Sequence, residues 1–240
     1  MTEPGLPGVK SAGSSAKSEQ TRSLIMATAL RLFREQGYDR TTMRAIAKEA
    51  GVSVGNAYYY FESKEHLIQG FYDQMQAVFL ESCTDLLAGE RNFAARLRGV
   101  LHIWLDIAEP YHEFAAQFFK NAADPTSPLS PFSAESEPAR TANIAMQERV
   151  LAGSDAKPDA TLRPELPGLL WLYHMGIVLF WVHDRAPDSA RSRILVDRTV
   201  PMIDRLVRLS RLPVLRSVTK EGVQLLKDLG WFTSVGRTRR

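Results

Sequence analysis

An all-α fold in two parts, a small N-terminal three-helix domain with a helix-turn-helix followed by a larger helical domain, follows from three observations. Apolar residues recur at three- and four-residue spacing through most of the chain. Glycine, proline and small hydroxyl residues fall between these runs, where helices start and stop. No segment alternates apolar and polar residues convincingly enough to be a strand, and no internal repeat is present.

Residues 1–17 are rich in Ser, Gly and Pro and read as a disordered arm. A helix follows, marked by Leu24, Ile25, Ala29, Leu32 and Phe33, and Gly37 stands where a left-handed C-cap belongs. Thr41 and Thr42 offer an N-cap to a short helix, Met43 to Ala50, which Gly51 stops. Ser53 caps the next, Val54 to Phe61, and Ser63 a third that runs through Phe71 and Phe79 to about Leu87, with Gly89 beyond it. Phe93, Leu97, Val100, Leu101 and Trp104 form one stripe, ended by Pro110, and Phe114, Phe118 and Phe119 mark another helix. Three prolines make 124–133 a loop. Helices are expected over Ala139–Leu151, from Pro164 or Pro167 to Val182, through Leu195 to Leu209 with a kink at Pro201, and over Val214–Leu229. The domains are then an arm over 1–17, a helix-turn-helix domain over 18–68, a ligand-binding and dimerisation domain over 69–230, and a basic tail over 231–240.

The composition, 45% hydrophobic and 24% charged, supplies a core and excludes a disordered chain. The first 20 residues hold no apolar run, so no secretory signal is expected. Leu169–Val182 is nearly all apolar but shorter than the ~18–20 residues of a membrane span. Cys83 is the only cysteine, which excludes an internal disulfide and a cysteine-based zinc site and fits a cytoplasmic protein. The five histidines are scattered; His174 and His183, nine residues apart, fall on different sides of one helix. No phosphate loop, nucleophile motif or paired carboxylates appear. The expectation is therefore no enzyme, no metal and no cofactor. The net charge of +3 lies wholly in residues 1–64, with nine Lys/Arg against six Asp/Glu, whereas the rest holds 21 of each. A local positive excess is what phosphate binding needs.

The segment from Thr42 to Phe61 combines these signals. Two short helices flank Gly51-Val52-Ser53, and so tight a turn sets them at roughly 90–120°. Ile46, Ala47 and Ala50 turn inward, Val52 plugs the turn, and Ala57 and Phe61 supply the inner face of the second helix. Its outer face presents Val54, Asn56, Tyr59 and Tyr60, with Tyr58 at the flank. Tyrosine hydroxyls and a helix start can meet phosphate oxygens, and Asn56 can pair with adenine in a major groove. The same geometry also fits a helical hairpin whose tyrosines pack.

Residues 21–68 resemble the N-terminal domain of the tetracycline-repressor (TetR) family of bacterial regulators. The matching string is Thr21-Arg22, Ala29-Leu30-Arg31-Leu32-Phe33, Gly37-Tyr38, Thr41-Thr42, Ile46-Ala47, Ala50-Gly51-Val52-Ser53, Gly55, Tyr58-Tyr59-Tyr60-Phe61, Ser63-Lys64 and Leu67. The resemblance implies a homodimer that binds a palindromic operator in double-stranded DNA and carries a C-terminal sensor for a small apolar ligand. It places Thr42 and Lys64 on phosphate, Arg44 on base or backbone, Ser53, Gly55 and Asn56 at the start of the recognition helix, and Tyr58 and Tyr60 on the backbone. Tyr60 stands where the family more often has histidine, and Ala57 where it usually has leucine. Val54 and Asn56 fall at variable positions.

In the second domain Trp104, Phe118, His174 and Met175 are the residues chosen to line a ligand pocket, with core packing as the alternative for each. The helix through Leu169–Val182 is apolar nearly all round and must be covered on every side. Leu172, Gly176 and Leu179, with Met202 and Leu206 of the next helix, are assigned to a four-helix dimer interface. A ligandless repressor and a non-DNA interaction protein are the rival readings.

Overall fold

The computed structural model describes residues 12–124 and 126–228. Among them no strand occurs, and the helices follow as α1 (Ala12–Gln36), α2 (Met43–Glu49), α3 (Val54–Tyr60), α4 (Lys64–Ser82), α5 (Thr84–Gly89), α6 (Phe93–Ala108), α7 (His112–Ala122), α8 (Glu137–Ala152), α9 (Leu166–Val182), α10 (Ala190–Leu209) and α11 (Arg216–Asp228). Single 3-10 turns lead from α6 into α7, from α9 into α10 and from α10 into α11. The chain divides into two units between Phe71 and Tyr72, within α4.

Two boundaries differ from the sequence reading. The arm expected over 1–17 gives way to helix at Ala12, because Ala12, Ala16 and Lys17 are strong helix formers and the last proline before them is Pro7. The helix expected from Ser63 to Leu87 breaks at Cys83 into α4 and α5. There the Thr84 hydroxyl donates to the Leu80 carbonyl at 3.1 Å, a back-bond that competes with the helix ladder. The assigned helix α10 continues through Pro201. The basic tail over 231–240 lies outside the described residues.

In the first unit Ile25, Ala29 and Phe33 of α1 meet Ile46 and Ala47 of α2, Ala57 of α3 and Phe61, each 1% exposed or less. Gly37 ends α1 at φ +87, a left-handed position that favours glycine, with its N–H on the Phe33 carbonyl at 3.0 Å. Thr41 is not the cap. It is fully buried, and its hydroxyl donates to the Gly37 carbonyl at 2.8 Å.

The second unit is built around α6, whose Phe93, Leu97, Val100, Leu101 and Leu105 are fully buried. They pack with Met146 and Val150 of α8, Leu170 and Ile177 of α9, and Val196 and Val200 of α10. On the same helix Arg96, 2% exposed, turns its guanidinium into the structure. It donates to the carbonyls of Leu87 (2.7 Å) and Glu90 (2.6 Å) at the end of α5, and of Arg149 (2.7 Å) and Val150 (2.8 Å) near the end of α8. Gly153 leaves the guanidinium its space, since a Cβ there would lie 2.6 Å from Nη2.

The corner between α9 and α10 is tightly tied. Asp188 (φ 54) and Ser189 (φ 51) are consecutive left-handed residues that are not glycine. Such positions cost of order 1–3 kcal/mol each and persist only where the surroundings impose them. Asp184 accepts from the Ser192 N–H and hydroxyl at 2.8 and 2.9 Å, and Ser189 donates to Glu109, which also accepts from the Trp181 indole.

Replacing Arg96 by leucine strips four buried or half-buried carbonyls of their donor. We expect Arg96→Leu to lower unfolding stability by about 3 kcal/mol or more, measured by urea denaturation. A loss below about 1 kcal/mol would show that the carbonyls find other partners.

Candidate functional site

The geometry of the helix-turn-helix rests on two hydroxyl caps and one glycine. Thr42 accepts the Ala45 N–H at 3.1 Å and Ser53 accepts the Asn56 N–H at 3.1 Å, so each short helix begins on a satisfied cap. Gly51 turns the chain at φ +67, and the Val52 N–H closes onto the Ala47 carbonyl at 3.0 Å. Ala57 is fully buried, so the small residue that stands for leucine lets α3 sit close against α2. What α3 leaves outside is Val54 (39% exposed), Tyr58 (49%) and Tyr59 (80%), with Asn56 and Tyr60 half-buried at its edges. Gly55 is exposed, with nothing within 4 Å of its would-be Cβ, and Arg44 and Thr42 are exposed on α2 and its cap.

Thr42, Arg44, Ser53, Gly55, Asn56 and Tyr58 therefore lie on or beside the exposed rim of one helix pair. Tyr60 and Lys64 are more engaged. The Tyr60 hydroxyl shares a hydrogen bond with Ser18 of α1 at 3.2 Å. Lys64 donates to the Tyr38 carbonyl at 2.8 Å and lies 4.2 Å from the centre of that ring. An ammonium has three donors, and this bond uses one. The Tyr38 hydroxyl in turn donates to Glu65 at 2.7 Å. Burial and that hydrogen bond raise the Tyr38 pKa, so the phenol stays protonated. Tyr59, the most exposed of the three tyrosines, was not among the assigned contacts. Its position three residues after Asn56 on the same face was the available signal.

In the second unit the structure brings Trp104 and His174 together, their ring centres 5.0 Å apart at 85°. Phe79 lies 6.4 Å from the same imidazole. His174 is 1% exposed, and neither ring nitrogen has a hydrogen-bond partner among the described residues. A buried polar atom left so costs about 1–3 kcal/mol. Burial alone pulls the His174 pKa down to about 4, so the ring is neutral at physiological pH. Met175 is half-buried, and the Phe118 side chain lies outside the described side chains. A groove of about 300 Å³ between α8 and the start of α9 is lined by Ile144, Ala145, Pro164 and Pro167 among others, and by none of Trp104, His174 and Met175. No helix among the described residues is long and apolar enough to cross a membrane.

Comparison with known proteins adds the following. Residues 96–225 match the family model described as "Tetracyclin repressor-like, C-terminal domain", and residues 25–70 match "Bacterial regulatory proteins, tetR family". The Bacillus subtilis HTH-type transcriptional regulator YuxN is 46% identical over 50 residues, 21% of this chain and 17% of that one. The chain covers less than half the length of the curated relatives it matches. A TetR transcriptional regulator from Nitrosomonas europaea superposes with a TM-score of 0.60 at 18% identity, covering 76% of this chain and 97% of that one. The Thermus thermophilus repressor FadR, solved with lauroyl-CoA, superposes with a TM-score of 0.54 at 24% identity, covering 75% and 93%. These two likenesses are likenesses of fold.

Two outcomes are expected. Asn56→Ala should relax preference at one base pair per half-site, costing ~1–3 kcal/mol there, while Lys64→Ala should weaken all DNA sequences alike and reduce the log–log salt slope by about one unit. Equal weakening of every sequence by Asn56→Ala would make it a phosphate contact; an unchanged slope for Lys64→Ala would take it off the backbone. The second outcome concerns pH. An unfolded chain takes up the imidazole proton near 6.5 but the folded protein only near 4, so folding stability falls as pH drops through that window. Thermal melts of the native protein should decline more between those values than melts of His174→Phe. Parallel curves would show that His174 is protonated alike in both states.

Proposed function

The chain belongs to the tetracycline-repressor family of DNA-binding transcriptional regulators, and on that premise we propose that it works as a homodimeric, cytoplasmic repressor of a palindromic operator, released by a small apolar ligand. The observation that carries this reading is the outer face of α3. It holds one asparagine, one valine and two exposed tyrosines on a helix whose small inner face is fully packed. A hairpin serving only as scaffold would have buried these rings. Two such helices, one from each subunit, would enter successive major grooves about 34–36 Å apart. Thr42, Arg44, Tyr58 and Lys64 would hold the backbone, and Asn56 and Val54 would face bases.

The dimer is argued from apolar surface. Leu179 (48%), Ile194 (59%), Met202 (58%), Leu206 (66%) and Leu209 (42%) are exposed on α9 and α10 of the single chain. Leu172 is half-buried on the same helix as Gly176, where a Cβ would meet nothing within 4 Å. Exposed leucines and methionines gathered on two neighbouring helices mark an interaction site. A second copy, presenting the same two helices, covers them in a four-helix arrangement. Gly176 costs α9 about 1 kcal/mol against alanine, which close approach of the partner helix would explain.

The ligand is argued from the interior of the second unit. His174 and Trp104 form an aromatic contact with unsatisfied polarity, and Met75, packed against the same core, supplies a thioether chain that repacks readily around an apolar guest. An acyl thioester is the favoured class, since FadR of the same fold was solved with lauroyl-CoA. Release requires that the ligand prefer a subunit arrangement that DNA does not. No catalytic step, metal or cofactor enters this reading.

The test joins DNA binding to assembly. Incubated with genomic fragments, the protein should retard one palindromic site, protected over two half-sites. Gly176→Leu should shift the protein toward monomer in sedimentation and abolish that retardation while its circular dichroism stays helical. Failure to retard any fragment would favour a non-DNA interaction protein. An intact dimer in the variant would move the interface off α9.

A further inference from the structure

We propose that His174, together with the amide of Gln76, is the polar recognition point of the interior ligand site and receives the uncharged carbonyl oxygen of an otherwise apolar ligand. This rests on the ligand-binding reading above and adds the chemical group that is read. Both His174 nitrogens are buried without a partner among the described residues, and so is Gln76 Nε2. Gln76 lies one helical turn before Phe79 on the same face of α4, and the Phe79 ring is 6.4 Å from the imidazole. Trp104 closes on the ring edge-on at 5.0 Å, and the core around it is built of residues such as Leu101, Leu105 and Ile177.

Buried polar atoms in native proteins are nearly always satisfied, and those that are not call for a functional or solvent partner. The chemistry of that partner follows from its surroundings. Burial is the sole influence on His174, with no charged side chain contributing, so a carboxylate or ammonium head would meet no counter-ion. A neutral imidazole carries one N–H, and the Gln76 amide carries N–H donors. A carbonyl oxygen has two lone pairs and can accept from both. A ligand of this class buries a long apolar chain with one ester, thioester or amide oxygen at His174 and keeps any charged head outside this part of the site.

The test compares two probes that differ by that oxygen, lauroyl-CoA and its thioether S-dodecyl-CoA. Dissociation constants for the full-length protein are read by isothermal titration calorimetry, which does not depend on which of the four tryptophans senses the ligand. The native protein should bind lauroyl-CoA about tenfold more tightly than the thioether, equivalent to about 1.4 kcal/mol. His174→Phe and, separately, Gln76→Leu should each bring the ratio toward one while still binding the thioether. Equal binding of the two probes by the native protein overturns the carbonyl assignment and leaves the ligand site standing. Binding of neither probe overturns the acyl-ligand reading, and this inference with it. A tenfold ratio preserved in His174→Phe places the carbonyl elsewhere. A measurement without ligand separates function from architecture: because the native ring is unsatisfied, His174→Phe should raise the apo Tm by about 2–4 °C. A fall in Tm would show that a built-in water holds the ring and that His174 is structural.

Discussion

The second unit depends on one guanidinium. Helix ends leave carbonyls without intrahelical partners, and they carry the negative pole of the helix dipole. The ends of α5 and α8 both do so, and Arg96 of α6 answers both, with its planar donor fork spread over four carbonyls. Burial lowers the Arg96 pKa and the neighbouring charges of Arg91 and Arg149 push it the same way, while the Glu90 carboxylate opposes them and, with the four carbonyls, offsets the cost of an interior cation. With α5, α6 and α8 so joined, the apolar stripe of α6 has one direction in which to face. That direction carries Trp104 against His174 of α9, so the site proposed for ligand recognition inherits its geometry from a contact well outside it.

The first unit achieves precision by different means. Its helices α2 and α3 are seven residues each, too short to be stable alone, and small residues hold them together. Ile46, Ala47 and Ala57 allow close approach, Thr42 and Ser53 satisfy the exposed starts, and Gly51 makes the turn. The polar and aromatic outer face then owes nothing to core packing and is free to be specified by what it touches. The two units thus differ in where their polar groups lie, on an exposed helix face in the first and buried in the core in the second.

Much of this was legible in the residues, and the reasons for the failures are physical. The helix-turn-helix is local, its caps, turn glycine and inner face all lying within twenty residues, and Thr42, Gly51, Ser53 and Ala57 could each be given their role. The break at Cys83 was not legible, because Thr84 competes for a carbonyl through a hydrogen bond that periodicity does not register. Arg96 was invisible for a stronger reason. An arginine on a helical stripe ordinarily reaches solvent, and only the tertiary placement of two other helix ends makes burial its better state. His174 could be chosen by its place in an apolar helix, but the absence of a hydrogen-bond partner exists only in three dimensions. The Lys64 and Tyr60 contacts with Tyr38 and Ser18 likewise join positions 26 and 42 residues apart.

The left-handed pair Asp188-Ser189 has a bearing on assembly. These two residues stand at the corner where α10 leaves α9; Glu109 accepts from Ser189, and Asp184 accepts from Ala186 before the pair and from Ser192 after it. The two helices that expose the apolar surface are therefore oriented within each chain before any second copy arrives. Association under those conditions is a docking of finished surfaces, with little ordering entropy left to lose on contact. In the proposed homodimer, the strain at the corner, met once during folding, would let the subunits recognise one another as rigid bodies.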